Sequence, residues 1–216
     1  ARNWLKSPWN VVTAYANFIP SSNTFISLKT TYLFGNRSLV WRNEDGGAAA
    51  RDEIDPATGA YVQREVGIED MQNSTTELRF SQNYNLGQIQ STLAGGLRYS
   101  YAKFKRKGGG EGTTNSDFDL SITGNWGYNL NFSSTNTAPF VENIFKIGNR
   151  FTVTPGFRYE YVKSSIEGYK ITDNDKQVRN ESRSRTFALF GIGAEYKPTT
   201  STSIYGNFSQ AYRPID

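Results

Sequence analysis

Strict two-residue alternation constrains this chain more than any other feature. Between residues 151 and 161, alternate positions carry Phe151, Val153, Pro155, Phe157, Tyr159 and Tyr161. The intervening positions carry Thr152, Thr154, Gly156, Arg158 and Glu160. Side chains alternate across a strand, so this segment reads as a strand with one apolar and one polar face. Residues 91–101 repeat the pattern, with Leu93, Leu97, Tyr99 and Tyr101 opposing Thr92, Gly96, Arg98 and Ser100. Leu78, Phe80 and Tyr84 oppose Glu77, Arg79 and Ser81; Ile26, Leu28, Tyr32 and Phe34 oppose Ser27, Lys29 and Thr31.

Extending this reading gives eight strands, at about 10–19, 24–34, 74–84, 88–104, 137–146, 150–163, 185–196 and 202–212. The segments 10–19, 137–146 and 202–212 alternate less cleanly, and their faces stay unassigned. Short turns rich in Gly, Pro, Asn and Ser fall at 20–23, 85–87, 147–149 and 197–201. Turn chemistry of this kind closes tight hairpins. Long connections fall at 35–73, 105–136 and 164–184. Antiparallel strands reverse at each turn, so every short turn lies at one end of the sheet and every long connection at the other. Transmembrane barrels have this asymmetry, and about 9–11 residues of tilted strand cross the hydrocarbon. The expected fold is therefore all-β, an antiparallel transmembrane β-barrel. Tyr15, Tyr84, Tyr161, Tyr196 and Tyr212 are candidates for its aromatic girdles. A soluble β-sandwich also alternates, but its strands are shorter and its loops are not sorted by length.

Composition agrees. The apolar content leans on 13 Tyr, 14 Phe and 4 Trp, with 20 Gly and few aliphatics, a bias toward strand. The chain has no Cys and no His. Thiol nucleophiles, disulfides, Cys/His zinc sites and the commonest general base are thus unavailable. No apolar stretch approaches the length of a membrane-spanning helix. The chain starts at Ala1 without a visible signal peptide, as a mature form or an excised fragment would. The net charge of +4 comes from scattered bases, and no nucleic-acid patch is expected. The one basic run, Lys103, Lys105, Arg106 and Lys107, reads as a solvated strand end or loop. Gly108–Gly112 lacks the Lys-Ser/Thr of a phosphate loop and reads as a flexible connection. Gly191 and Gly193 read as small residues on a strand where something packs closely. Asp173-Asn174-Asp175 begins like a calcium loop that Gln177 breaks, and Asp117 with Asp119 reads as solvation. No catalytic, cofactor or metal residues are expected, and no enzyme activity.

Two stretches resemble the TonB-dependent outer-membrane receptors, in particular the ferric-dicitrate type. Phe140-Val141-Glu142-Asn143 followed by Phe151-Thr152-Val153-Thr154-Pro155-Gly156-Phe157-Arg158-Tyr159-Glu160 is similar to the family's "FxEN … lxvtPGlRyE" hairpin. Ser203-Ile204-Tyr205-Gly206-Asn207-Phe208-Ser209-Gln210-Ala211-Tyr212-Arg213-Pro214 is similar to its "lYaxxsxxfRxP" strand. The resemblance implies a plugged, 22-stranded barrel in the bacterial outer membrane that takes up a ferric chelate, either citrate or a siderophore. Its partners would be outer-membrane lipid and, through the plug, the TonB complex. Residues 1–216 would then be part of the barrel domain, with the plug and the C-terminal strands absent from this sequence. The alternatives are a small eight-stranded barrel with a structural or adhesive role, and a secreted β-sandwich binding module.

By alternation, Glu77, Arg79, Arg98, Arg158 and Glu160 face away from lipid, into the lumen and toward the plug; ion pairs between neighbouring strands would serve equally well. The long connections would meet cargo. Residues 43–73 hold eight acids (Glu44, Asp45, Asp52, Glu53, Asp55, Glu65, Glu69, Asp70) against Arg51 and Arg64. Residues 164–184 mix Lys170, Lys176, Arg179 and Arg183 with Glu167, Asp173, Asp175 and Glu181. Anionic chelates favour the planar fork of arginine, which points to Arg179, Arg183 and Arg185 as extracellular ligand contacts.

Overall fold

A computed structural model describes residues 2–42, 54–172 and 175–212. They form a single antiparallel sheet of nine strands, with no helix among them. The strands are β1 (Trp4–Lys6), β2 (Trp9–Ser21), β3 (Thr24–Arg42), β4 (Arg64–Leu86), β5 (Ile89–Glu111), β6 (Tyr128–Ile147), β7 (Phe151–Thr172), β8 (Asp175–Thr199) and β9 (Thr202–Ser209). From β3 to β9 each strand pairs with its sequence neighbours, and β1 and β2 both lie along the free edge of β3. One layer in sequence order excludes the sandwich. Among the described residues β9 does not pair with β2, so this sheet is not a closed eight-stranded barrel.

β1 and β2 act as one strand. Trp4 lies opposite Val40 and Trp9 opposite Gly35, so the register carries across Ser7 and Pro8 without a shift. Pro8 has no N–H to give the ladder, while its carbonyl still accepts from Asn36 N at 3.2 Å. Proline is tolerated on an edge for this reason. Allowing for this break, the eight expected strands are all present. The tight turns also fall as expected, with Gly87 (φ 60°) and Gly148 (φ 61°) supplying left-handed backbone that costs other residues strain.

The long connections are shorter than expected. Residues 35–42 continue β3 and 64–73 begin β4; 105–111 continue β5 and 128–136 begin β6. Residues 164–172 and 175–184 belong to β7 and β8. The strands from β4 to β8 run to 20–25 residues, about 65–80 Å at 3.3 Å per residue. A hydrocarbon core about 25–30 Å thick covers less than half of that. In these outer parts apolar residues such as Leu39, Val40, Val66, Leu130 and Phe132 no longer keep to one face with a two-residue period, so the sequence there reads as loop. The Gly108–Gly112 segment is likewise the end of β5: Gly109 (φ 66°) sits at a register shift between β4 and β5, as a glycine bulge requires.

The largest fully buried side chains among the described residues lie at this far end. Arg64, Val40 and Val66 are almost fully buried. The Arg64 guanidinium donates to Thr113 O (3.2 Å), Thr113 Oγ1 (2.8 Å), Asp117 O (2.6 Å) and Arg2 O (3.3 Å). Burial lowers its pKa, the Arg2 charge lowers it further, and Asp117 and Asp119 oppose the shift. Trp4 Nε1 donates to Ser116 O at 2.7 Å. The connection 112–127 is thereby fastened over the ends of β1 and β4. Asp117 is part of this fastening, not a merely solvated acid. Of the acids expected in one loop, Glu65, Glu69 and Asp70 stand on β4; Glu44, Asp45, Asp52 and Glu53, with Arg51, lie outside the described residues, as do Asp173 and Asn174.

Candidate functional site

Register settles which residues share a face. Directly opposed residues of an antiparallel pair point to the same side. Glu77 is opposite Lys29 on β3 and Arg98 on β5; Arg98 is opposite Ala138 on β6; Glu160 is opposite Phe187 on β8. The pairs Thr137–Tyr161 and Phe140–Arg158 set Ala138 against Glu160. One row therefore crosses the sheet as Lys29, Glu77, Arg98, Ala138, Glu160, Phe187. The next row carries Ser27, Arg79, Gly96, Phe140, Arg158 and Leu189. All five residues expected on the polar face, Glu77, Arg79, Arg98, Arg158 and Glu160, stand there together in two adjacent rows. The other face carries Leu78, Leu97, Tyr99, Phe157 and Tyr159 at the same heights.

The charges on the polar face largely satisfy one another. Arg79 Nε pairs with Glu77. Arg158 Nε lies 2.5 Å from Glu160 Oε1. Glu160 is 6% exposed, and its second oxygen accepts from Asn136 Nδ2 at 3.0 Å and the Tyr212 hydroxyl at 2.5 Å. The Tyr212 ring stacks on Phe187, centroids 3.9 Å apart and 10° from parallel. Arg98 Nε is buried without a hydrogen-bond partner among the described residues. A buried unsatisfied donor is costly, so this guanidinium is poised for an acceptor.

Above Glu160 on the same face lies a concavity of about 400 Å³. Its floor is aromatic (Phe132, Phe187, Tyr212), and Arg183 and Arg185 stand on its wall. Both are on strand β8; Arg185 was expected at the start of that strand, whereas Arg183 was expected in the preceding loop. Arg183 Nη2 reaches Glu181 Oε2 at only 3.5 Å, with two thirds of its side chain exposed. Arg185, opposite Val162, makes no ion pair among the described residues. Arg179 is farther out, opposite Gly168, and is held by Gln177 (3.2 Å) and Glu181 (3.6 Å). The structure thus brings Arg183 and Arg185 together at the concavity and leaves Arg179 outside it. An aromatic floor beneath two guanidiniums, with Glu181 as the one acid in the lining, suits a flat or chelated anion.

Sequence reasoning missed Tyr212, Asn136 and Phe187 as members of this site. Tyr212 was expected in an aromatic girdle, yet it bonds Glu160 on the polar face. Tyr15 was expected there too, yet it lies opposite Lys29, on the polar side. Tyr84, Tyr161 and Tyr196 do occupy the apolar face. The missed signal was Phe187 and Leu189, which break alternation by placing apolar residues among Arg183, Arg185 and Gly191. Gly191 and Gly193 do share the polar face, but a Cβ there would meet only ordinary contacts, at 3.6 and 3.8 Å. Close approaches are found instead at Gly95 and Gly96 in the middle of β5 and, farther out, at Gly108 and Gly168 among others.

Solved structures share this fold. The ferric citrate transporter FecA in its unliganded form superposes with a TM-score of 0.73 at 18% identity, over 94% of this chain and 27% of that one. The ferric-catecholate import receptor Fiu from E. coli K12 gives 0.74 at 14%, over 98% and 36%. The siderophore receptor PiuA from Acinetobacter baumannii gives 0.71 at 17%, over 96% and 32%. At these identities the likeness is one of fold, and the present chain spans about a third of their length. A search of curated proteins finds no match. The family description "TonB dependent receptor-like, beta-barrel" matches residues 3–216, which include every strand described above, and the chain belongs to that family of outer-membrane receptor barrels.

Proposed function

We propose that this sheet is a sector of a larger outer-membrane barrel that imports a ferric chelate by TonB-coupled active transport. Its apolar face meets lipid and its polar face lines the lumen. The described residues belong to the barrel domain, and the plug that couples to TonB is contributed by other sequence. Arg98, with its unfilled donor, and the Glu77/Arg79 and Arg158/Glu160 pairs form the wall against which that plug rests. The protein transports and does not catalyse a reaction, in keeping with a chain that has no His or Cys. FecA, Fiu and PiuA are described as handling ferric citrate, ferric catecholate and siderophore, and the same class of cargo is assigned here.

The observation that carries this reading is the concavity with Arg183 and Arg185 above an aromatic floor. Carboxylate- or catecholate-bearing iron complexes are anionic, and each charge-assisted bond contributes about 1.5–3 kcal/mol. Arg183→Ala combined with Arg185→Ala in the full-length receptor should raise the half-saturating chelate concentration by about tenfold or more. Uptake of radiolabelled ferric citrate and a siderophore panel by iron-starved cells measures it. Unchanged half-saturation across the panel, with the variant at normal surface abundance, would remove cargo binding from this wall.

A further inference from the structure

The basic run near residue 105 is divided between the two faces. Arg106 points to the polar side, where its Nε lies 2.9 Å from Glu69 Oε1 and Arg37 Nη1 lies 3.3 Å from Glu69 Oε2. Lys103, Lys105 and Lys107 point to the opposite side, continuing the line of Leu97, Tyr99 and Tyr101 along β5. Inner cations at this height thus have a shared acid, whereas Lys103 and Lys105 have no ion-pair partner among the described residues. Lys107 Nζ rests 4.9 Å from the Trp126 ring.

The neighbours of this row are suited to a polyanion. Gln72 and Ser133 flank Lys103, Asp70 and Asn131 flank Lys105, and Ile68 and Asn129 flank Lys107. Asp70 is the single acid in that strip, so the three lysines leave it clearly cationic. Two shallow hollows meet at Lys105: one of about 330 Å³ runs from Phe34 and Asn36 to Lys103, the other, of about 360 Å³, runs toward Lys107 and Asn129. Directly beneath lie Tyr101 and the stacked Tyr32–Phe34 pair, centroids 5.4 Å apart. Tyrosines prefer the level of lipid headgroups, so the lysines begin where hydrocarbon ends. Anionic headgroups attract such basic residues over roughly a Debye length.

We propose that Lys103, Lys105 and Lys107 form a binding row for the phosphate groups of an outer-leaflet lipid, whose acyl chains lie against the Tyr99/Tyr101 face of β5. The proposal rests on the reading that this face meets lipid. The occupant is a lipid and not free phosphate, because the row continues an apolar strip that acyl chains would cover.

The test uses the full-length receptor, purified in mild detergent and offered diphosphorylated lipid A, its dephosphorylated counterpart, or inorganic phosphate. Native mass spectrometry counts the bound lipid. The wild type should retain diphosphorylated lipid A over the dephosphorylated form by on the order of tenfold. Lys103→Gln, Lys105→Gln and Lys107→Gln together should abolish that preference, and the triple arginine variant should keep it. Equal retention by the wild type and the glutamine variant overturns the proposal, as does competition by millimolar inorganic phosphate as effective as by the lipid. A nitroxide placed at Tyr99→Cys separates the two readings. Contact with lipid-soluble oxygen there, with no lysine effect, defeats the phosphate row alone; contact with a water-soluble quencher defeats the lipid-facing assignment beneath it.

Discussion

At the residue scale, Glu160 shows how a charge is kept on a sheet surface with little access to water. An isolated carboxylate so placed would be strongly penalised. Here Arg158 supplies the countercharge, and Asn136 and Tyr212 occupy the other oxygen. Tyr212 lies beyond β9, so its hydroxyl ties the chain after the last strand back across two strands to β7. Tyr212→Phe keeps the stack on Phe187 and removes only the hydroxyl. Losing a hydrogen bond to a charged group costs about 1.5–3 kcal/mol. The expected result is that loss in urea unfolding of the full receptor, with faster amide exchange in residues 208–212. Tyr212→Leu should cost more, since it also removes the ring contact. Equal stability of the phenylalanine variant would mean that the hydroxyl bonds water and not Glu160.

At the element scale, the sheet depends on glycine where two strands close in on β5. A Cβ on Gly96 would collide with the Leu78 carbonyl and the Phe140 ring. The carbonyl belongs to the ladder and cannot swing aside. Gly96→Ala should therefore destabilise the full receptor by about 1–3 kcal/mol. Gly193→Ala, which would meet Thr154 only at ordinary contact distance, should be close to neutral; equal effects would mean that β4 and β6 do not approach β5 as described. Alternation in 151–161 and 91–101 reveals strand and face, because one apolar and one polar face impose a period of two. Where that contrast between faces is lost the period vanishes, and residues 164–172 and 175–184 look like a loop although they form the ends of β7 and β8. The site was half legible for a related reason. Glu77, Arg79, Arg98, Arg158 and Glu160 are polar in a strict pattern, whereas Phe187 and Tyr212 are aromatics on the polar side. Only register, which depends on partner strands, distinguishes them from girdle residues.

At the scale of the whole molecule, the two faces of this sheet solve different problems with the same strands. The polar face holds Lys29, Glu77, Arg98 and Glu160 in a single row, an arrangement affordable only where an acceptor or water can reach it. The opposite face at that height carries Leu28, Leu78, Leu97 and Ala188, neighbours that no charge interrupts. If the second face lies in hydrocarbon, position and not residue type decides the cost of a charge. Leu97→Arg places a guanidinium among these side chains, where an arginine near the bilayer midplane costs about 2–4 kcal/mol. Ser81→Arg places the same group on the polar face, opposite Phe25 and Ala94, where a surface substitution changes stability by about 0.5 kcal/mol. Both variants of the full receptor can be folded into bilayers and scored by heat-modifiable electrophoresis and urea titration. A large loss for Leu97→Arg beside a small one for Ser81→Arg is the expected result. Similar losses would mean that both faces meet the same solvent, and the assignment of inside and outside, with the cargo wall and the lysine row that depend on it, would fall together.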